Sequence, residues 1–306
     1  MNWKKISGLI AAPFTPMRTD GSLHLSMVPE YYRRLKQNGI AGAFIIGSTG
    51  EGVSLSLDEK KQVIAAWADC THEDPDFTLI PLLGGTCLTD CIELALFARE
   101  AGADAVSFTA PFYFKPASVQ QLAECCQHVA GAVPDLPFYY YHIPVLNGVG
   151  FPVYDLLQAV DGLIPNFAGI KYTHEDFMDF LSCIHYQNGK YDMLWGRDEN
   201  MLPALALGTR GAVGSTYNYV PALYHELMAA FDAGDLPKAA RLQQVSIDLI
   251  RLLGKYGGIS VGKAYMKVVG LDCGEFRLPV KNMDAIQWEQ FKEDVRKLRI
   301  ERYFLT

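Results

Sequence analysis

Short apolar runs alternate with longer amphipathic segments along this chain from residue 8 onward. We predict that the apolar runs are strands, because a strand that is covered on both faces reads as a continuous apolar stretch. Eight runs meet this description, at residues 8–12, 43–46, 78–82, 105–108, 137–140, 167–170, 193–195 and 211–213.

The segments between these runs have the pattern of helices. Ser26 is a suitable cap for the first one, and Ser56 precedes the second, which carries Asp58 and Glu59 in its first turn. We predict helices over residues 27–37, 58–68, 88–100, 119–129, 153–160, 175–185, 199–207 and 222–233.

Eight strands that alternate with eight helices predict a (β/α)8 TIM barrel of the α/β class. An open, doubly wound sheet is the alternative, but no glycine-rich dinucleotide loop follows the first strand. Further helical patterns cover residues 235–254, 261–269 and 284–298. We therefore expect a barrel over residues 1–234 that carries the active site. We expect residues 235–306 to be a helical extension that packs on this barrel within a single structural domain.

The composition narrows the class of protein further. Half of the 306 residues are hydrophobic and a fifth are charged, so a large core can form. The net charge of −7, without any Lys/Arg-rich block, argues against a nucleic-acid partner. No apolar run is long enough to span a bilayer, and the run at residues 8–13 is too short for a signal peptide. We expect a soluble, cytoplasmic protein that has no membrane partner.

The seven cysteines are odd in number and scattered along the chain. Their spacing matches no zinc site. We predict free, mostly buried thiols in a reducing compartment. They are Cys70, Cys87, Cys91, Cys125, Cys126, Cys183 and Cys273.

Lys171 stands at the end of the apolar run that begins at Phe167. On its own, such a lysine is most simply interpreted as a surface residue that marks the end of a strand. The alternative is a nucleophile, because desolvation at the strand end lowers the pKa of an amine, which must be neutral to attack a carbonyl. In a barrel, chemistry belongs at the carboxyl ends of the strands, so the other strand ends decide between the two.

Polar groups follow four other predicted strands. Residues 47–52, after the second strand, place two hydroxyls among glycines, a loop that suits a carboxylate and lacks a P-loop lysine. Tyr141, near the end of the fifth strand, offers a hydroxyl that can relay protons during imine formation. Asp198 and Glu199 either favour a helix start or accept hydrogen bonds from a sugar-like substrate. Residues 214–218 are again small and hydroxyl-bearing. This shared rim favours a functional role for Lys171.

These motifs together resemble a known family. They are GSTGEG at 47–52, YYYHIP at 139–144, GIKYT at 169–173, GRDE at 196–199 and GAVGSTYN at 211–218. The resemblance is to the N-acetylneuraminate lyases, which belong with dihydrodipicolinate synthase to a superfamily of pyruvate-dependent Schiff-base aldolases. It extends over nearly the whole chain and includes VGKAYMKVVG at 261–270 and FRLP at 276–279.

The resemblance implies a role for each matching residue. Lys171 matches the lysine that forms the imine with the keto carbon, and Tyr141 matches the tyrosine that shuttles the proton when the carbon–carbon bond is cleaved. Ser48 and Thr49 match the pair that holds the substrate carboxylate. The positions that match the sugar end of the pocket are Thr173, Gly196, Asp198, Glu199, Gly214 and Ser215.

Three positions qualify the resemblance. Leu146 occupies the place where the synthases carry an arginine for the carboxylate of their second substrate, and leucine has no donor for this role. Arg197, in front of the acidic pair, departs from the familiar pattern and leaves the preference for acylated sugars open. Tyr113 aligns with a tyrosine that the synthases lend to a neighbouring subunit, but this position is less uniform among the lyases.

The implied reaction is the reversible cleavage of N-acetylneuraminate to pyruvate and N-acetylmannosamine, through an imine on Lys171 and without a metal or organic cofactor. The family resemblance also implies a homotetramer. Two alternatives use the same pocket: an aldolase for another 2-keto(-3-deoxy) sugar acid, and a non-catalytic keto-acid sensor. A metal-dependent aldolase is disfavoured, because His142, His174 and His185 lack ligand spacing and His225 has no second histidine four residues later.

Overall fold

Eight parallel strands form the centre of the molecule in the computed structural model, which describes residues 3–306. Neighbouring strands pair in one continuous sheet, and a parallel bridge between Leu82 and Ser107 joins its two outer strands. The sheet therefore closes into a barrel, which confirms the predicted fold. The strands are β1 (Gly8–Ala11), β2 (Gly42–Ile45), β3 (Thr78–Pro81), β4 (Val106–Thr109), β5 (Phe138–His142), β6 (Phe167–Tyr172), β7 (Asp192–Trp195) and β8 (Gly211–Gly214).

The helices surround this barrel and follow the predicted alternation. Each strand is covered by helical segments that bury their apolar residues against it, and short 3-10 turns introduce several of them. The α-helices are α1 (Val28–Gln37), α2 (Leu57–Thr71), α3 (Leu88–Glu100), α4 (Val119–Ala130), α5 (Pro144–Asn147), α6 (Val153–Val160), α7 (Phe177–His185), α8 (Met201–Ala206), α9 (Pro221–Asp232), α10 (Leu236–Tyr256), α11 (Val261–Val268) and α12 (Ala285–Leu298).

The two predicted helix caps behave differently. Ser56 accepts a hydrogen bond from the backbone N–H of Glu59, whose carboxylate accepts one from the Ser56 N–H, so α2 begins with a capping box. Ser26 was expected to cap the first helix, but it lies inside a 3-10 turn over Leu25–Met27. The helix α1 begins at Val28, and its cap residue makes no side-chain hydrogen bond. The prediction of Ser26 as the cap was therefore wrong.

Strand alternation separates the tyrosines of β5 onto two faces. Tyr139 and Tyr141 belong to the apolar cluster inside the barrel, together with Phe44 of β2. Tyr140 belongs to the larger cluster between the strands and the helices. This division follows from the two-residue period of a strand, and it directs Tyr141 toward the centre of the barrel.

The helices after residue 234 share the apolar core of the barrel helices. Tyr265 of α11 stacks on Tyr219, which follows β8, with ring centroids 4.5 Å apart. Phe291 of α12 packs edge-on against Tyr265 at 4.9 Å. These aromatic contacts attach α11 and α12 to the region just after the last strand.

The structure also bears on the predictions of free cysteines and of a chain without membrane-spanning segments. All seven cysteines are free thiols, and Cys91, Cys126, Cys183 and Cys273 are buried. The described part of the chain, residues 3–306, contains no helix with the length and apolar character that crossing a membrane requires.

Candidate active site

Lys171 lies inside the barrel near the carboxyl end of β6. The strand runs to Tyr172, two residues beyond the predicted end, so Lys171 pairs in register with Tyr141 of β5 and Leu194 of β7. Its side chain is buried, at 4% exposure. The surface interpretation of this lysine is therefore excluded.

Aromatic rings surround the ammonium of Lys171. Its Nζ lies 3.9 Å from the ring centroid of Phe44 and 4.0 Å from that of Tyr141. Burial lowers the pKa of Lys171 to about 7, whereas the negative charge of Asp198 acts in the opposite direction. A substantial fraction of the amine is thus neutral near pH 7, as nucleophilic attack requires.

Tyr141 is buried, and its ring lies beside this amine. Burial raises the pKa of Tyr141 to about 12, although the hydroxyls of Ser48 and Thr173 act to lower it. The phenol is therefore protonated at neutral pH. It can donate its proton or pass one along, but it does not stand as a phenolate base.

The loop after β2 has a backbone that few residues can adopt. Ile46 and Glu51 both have positive φ angles, of 50° and 57°. A Cβ atom on Gly52 would lie 1.9 Å from the carbonyl oxygen of Ile46, so only glycine fits there. Thr15 secures the loop by donating its hydroxyl to the carbonyl of Gly50 at 2.6 Å.

Ser48 and Thr49 sit in this tightly constrained loop. Ser48 is partly exposed and Thr49 is buried. The Ser48 hydroxyl acts to lower the pKa of the Tyr141 phenol, so this loop influences the Lys171–Tyr141 pair.

Asp198 is a buried carboxylate at the end of β7. Its Oδ2 accepts hydrogen bonds from the backbone N–H of Thr216 at 3.0 Å and from the Thr216 hydroxyl at 2.6 Å. Burial raises the pKa of Asp198 to about 6. A Cβ atom on Gly214 would lie 1.9 Å from Asp198 Oδ1, so this glycine at the end of β8 makes room for the carboxylate.

Three buried polar atoms on the loops after β6 and β7 have no hydrogen-bond partner among residues 3–306. They are Thr173 Oγ1, Arg197 Nε and Asp198 Oδ1. Thr173 and Gly196 touch, because a Cβ on Gly196 would lie 1.9 Å from Thr173 Oγ1. Buried polar groups are normally hydrogen-bonded, so this set of donors and acceptors is suited to a polar ligand.

Glu199 and Ser215 complete the predicted sugar end. Glu199 is partly exposed, and its Oε1 accepts a hydrogen bond from Arg197 Nη2 at 2.7 Å. Ser215 is also partly exposed and precedes a 3-10 turn over Thr216–Asn218. These residues and those above all lie at the carboxyl ends of strands β2, β5, β6, β7 and β8.

Comparison with known proteins places the chain in a family. The model of the Dihydrodipicolinate synthetase family matches residues 5–298. The chain belongs to this family. An N-acetylneuraminate lyase of Danio rerio is 40% identical over 283 residues, which cover 90% of this chain and 91% of that protein.

Solved structures give the same relationship. The N-acetylneuraminate lyase of Proteus mirabilis superposes with a TM-score of 0.93 at 36% identity, over 97% of this chain and all of that one. An N-acetylneuraminate lyase (sialic acid aldolase) of Aliivibrio salmonicida superposes with a TM-score of 0.94 at 33% identity, over 97% and 98% of the two chains.

Leu146 and Tyr113, two positions where the family resemblance was qualified, lie at the surface. Leu146 is in the short helix α5 and is 63% exposed, and its side chain offers no hydrogen-bond donor. Tyr113 is 79% exposed and packs edge-on against Phe114, with ring centroids 5.2 Å apart. Neither side chain reaches the interior of the barrel in this chain.

The structure reveals a second buried lysine that our sequence analysis did not single out. Lys263 of α11 donates to Glu51 Oε1 at 2.6 Å and to the backbone carbonyl of Glu275 at 2.9 Å. The other oxygen of Glu51 accepts from the backbone N–H of Arg277 at 2.8 Å. The helical extension therefore holds the loop that carries Ser48 and Thr49. The signal was present, because Glu51 and Lys263 both lie in motifs of the family resemblance.

The histidines show no metal-binding arrangement. His142 is buried, and its ring packs 5.7 Å from that of His174. Burial lowers the pKa of His142 to about 3, so it is neutral. Within residues 3–306, no group of three His, Cys, Asp or Glu side chains comes together in a way that could hold a metal ion.

Proposed function

We propose that this chain is a class I aldolase that cleaves N-acetylneuraminate reversibly to pyruvate and N-acetylmannosamine. The observation that carries the proposal is Lys171, a buried lysine with a pKa of about 7 that lies against Tyr141 at the active end of the barrel. Membership in the Dihydrodipicolinate synthetase family and the similarity to N-acetylneuraminate lyases support this reaction.

The reaction begins with neutral Lys171. Its amine attacks the C2 ketone of the open-chain sugar acid, and loss of water gives a protonated imine. When the C3–C4 bond breaks, its electron pair moves into the imine and leaves an enamine of pyruvate. Protonation at C3 and hydrolysis then release pyruvate and restore the amine. The imine serves as the electron sink, so the chemistry requires no metal or organic cofactor.

Tyr141 transfers the proton of the C4 hydroxyl as the C3–C4 bond breaks. A phenol with a pKa of about 12 is a weak base, so we assign it a relay in which it accepts one proton while it donates its own. The donated proton goes to the substrate carboxylate, either directly or through the Thr49 hydroxyl, which passes on its own proton as it accepts one. Ser48 and Thr49 hold this carboxylate next to the imine.

The sugar end of the pocket favours a polyhydroxyl substrate. Asp198 and Glu199 accept hydrogen bonds from hydroxyl groups, and Thr173, Gly196, Gly214 and Ser215 shape the wall around them. The same two carboxylates repel a second anionic substrate. Leu146 cannot bind such a substrate, because its side chain carries no positive charge. These features support a sugar-acid lyase over a synthase that joins pyruvate to a dianionic partner.

We further propose that the enzyme acts in the cytoplasm as a homotetramer. The exposed aromatic pair Tyr113 and Phe114, at 79% and 85% exposure, suits an interface between subunits. Sedimentation velocity of the purified chain tests this assembly. A monomer at micromolar concentration would contradict it.

Turnover of two substrates tests the proposed reaction. Purified enzyme is incubated with N-acetylneuraminate or with a 2-keto-3-deoxy sugar acid, and the pyruvate released is measured. We expect kcat/KM to be at least about tenfold higher for N-acetylneuraminate, because its longer polyhydroxyl chain offers more donors to Asp198 and Glu199. A preference for the other acid would move the assignment to a related aldolase. Imine formation without turnover of either compound would favour a keto-acid sensor.

A further inference from the structure

Arg197 connects two of the loops that surround the candidate site. Its Nη2 lies 2.7 Å from Glu199 Oε1 and 2.8 Å from Glu175 Oε1. Glu175 belongs to the loop after β6, whereas Arg197 and Glu199 belong to the loop after β7. One guanidinium group therefore joins two carboxylates across the rim.

The backbone of Arg197 is anchored to the aromatic core. The indole Nε1 of Trp195 donates to the carbonyl of Arg197 at 2.5 Å. Trp195 itself is stacked on Phe177 of α7, with ring centroids 5.1 Å apart. The arginine thus extends from a fixed point, and its side chain controls where the Glu199 carboxylate lies.

Glu199 keeps one oxygen available in this arrangement. Its Oε1 is engaged by Arg197, and no donor within residues 3–306 contacts its Oε2. A carboxylate oxygen can accept hydrogen bonds from two hydroxyls of a polyol. Without Arg197, the negative charges of Asp198 and Glu175 would repel Glu199, and its side chain would lose its fixed orientation.

We propose that Arg197 is a positioning residue that holds Glu199 for the polyhydroxyl chain of the sugar acid and thereby sets the selectivity for this chain. The inference rests on the proposed sugar-acid lyase activity. Because Arg197 acts through Glu199 and not on the reacting carbons, it contributes to the binding of the sugar and leaves the formation of the pyruvate imine unchanged.

Kinetics of Arg197→Ala test this role, with pyruvate as a ligand that has no polyhydroxyl chain. We expect KM for N-acetylneuraminate to rise about tenfold to a hundredfold, the effect of losing a charge-assisted hydrogen bond, while kcat stays within about threefold. The pyruvate concentration that gives half-maximal borohydride trapping of the imine should not change. Arg197→Lys should recover part of the loss, because it keeps the charge without the planar fork.

The same substitution in a Glu199→Gln variant distinguishes a positioning role of Arg197 from a general disturbance of the structure. In Glu199→Gln enzyme, Arg197→Ala should add less than about twofold to KM, because the two residues act as one unit. Arg210→Ala is the matched control: Arg210 is an exposed arginine 3.7 Å from Asp232, and its loss should leave both ligands unaffected.

The two hypotheses fail in different ways. If the wild-type protein formed no pyruvate imine and cleaved no sugar acid, the proposed function would be wrong. If the wild type cleaved N-acetylneuraminate and Arg197→Ala left KM unchanged, the role of Arg197 would be wrong. Equal losses for the sugar acid and for pyruvate, or independent effects of Arg197 and Glu199, would also overturn it.

Discussion

The molecule contains two buried lysines in different surroundings, Lys171 inside the barrel on β6 and Lys263 on α11. Lys171 is 4% exposed and Lys263 is 2% exposed, so burial alone does not distinguish them. Burial lowers the pKa of both. They differ in their partners.

Both ammonium groups lie against aromatic rings, but of the two only Lys263 also pairs with a carboxylate among the described residues. The ammonium of Lys263 donates to Glu51 at 2.6 Å, and the attraction of this carboxylate opposes the effect of burial. Lys171 has no ion-pair partner among the described residues, and its nearest opposing charge, Asp198, only partly offsets its desolvation. A carboxylate partner favours the charged form of a buried lysine, whereas burial without such a partner favours the neutral amine that a nucleophile requires.

A nearby cleft does not identify the reactive lysine either. A cleft of about 790 Å³ lies between residues 17–24 and the helical extension, and Lys263 is among the residues that line it. The lysine beside this cleft is the one that is already paired with Glu51. The charge environment of each lysine, not the space near it, therefore indicates which one can react.

Removal of the Lys171 amine should have the largest effect. Lys171→Ala should lower kcat/KM for N-acetylneuraminate by about 10⁴-fold or more, because the imine cannot form. The thermal unfolding midpoint should stay equal or rise, since an unpaired buried amine disfavours the folded state. Activity near the wild-type level in purified Lys171→Ala would refute the mechanism.

Loss of Lys263 should damage stability instead of chemistry. Lys263→Met leaves the Glu51 carboxylate buried without its cation, and the free energy of unfolding should fall by about 3–5 kcal/mol. Urea denaturation measures this change. Addition of Glu51→Gln should restore most of it, because no unpaired charge then remains and the amide oxygen can still accept from the backbone N–H of Arg277. A change below about 1 kcal/mol in the single variant would show that the pair contributes little.

The smallest of the three expected effects is a shift in the pH dependence of imine formation. The rate with pyruvate should rise as pH increases through about 7, because Lys171 loses its proton there. The charge of Asp198 raises the pKa of Lys171, so Asp198→Asn should move this rise to lower pH, by about half a pH unit. Asp232→Asn, at an exposed position, is the control. A shift to higher pH would contradict the assigned charge environment.

Local sequence patterns were sufficient for the barrel, whereas the candidate nucleophile required the other strand ends and the family motifs. The apolar runs predicted all eight strands, because both faces of these strands are buried. The predicted end of β6 came two residues early, since the apolar pattern stops at Lys171 while the strand continues through Tyr172. A buried lysine interrupts the apolar run from which its own strand is predicted, so the predicted strand ends too early.

Partners that are distant in sequence could not be predicted in this way. Glu51 and Lys263 are 212 positions apart, and no local pattern indicates that they form a buried ion pair. The hydrogen-bond partners of Asp198 were not predictable either. Its carboxylate was expected either to favour a helix start or to face the substrate. One of its oxygens is engaged by Thr216, and the other has no partner among the described residues. The different surroundings of these two oxygens depend on the tertiary structure.

Borohydride reduction in the presence of pyruvate tests the central claim most directly. The trapped protein is digested, and mass spectrometry locates the reduced adduct. We expect one adduct per chain, on the peptide that contains Lys171, and none on the peptide that contains Lys263. An adduct on Lys263 or another lysine, or no adduct at all, would contradict it.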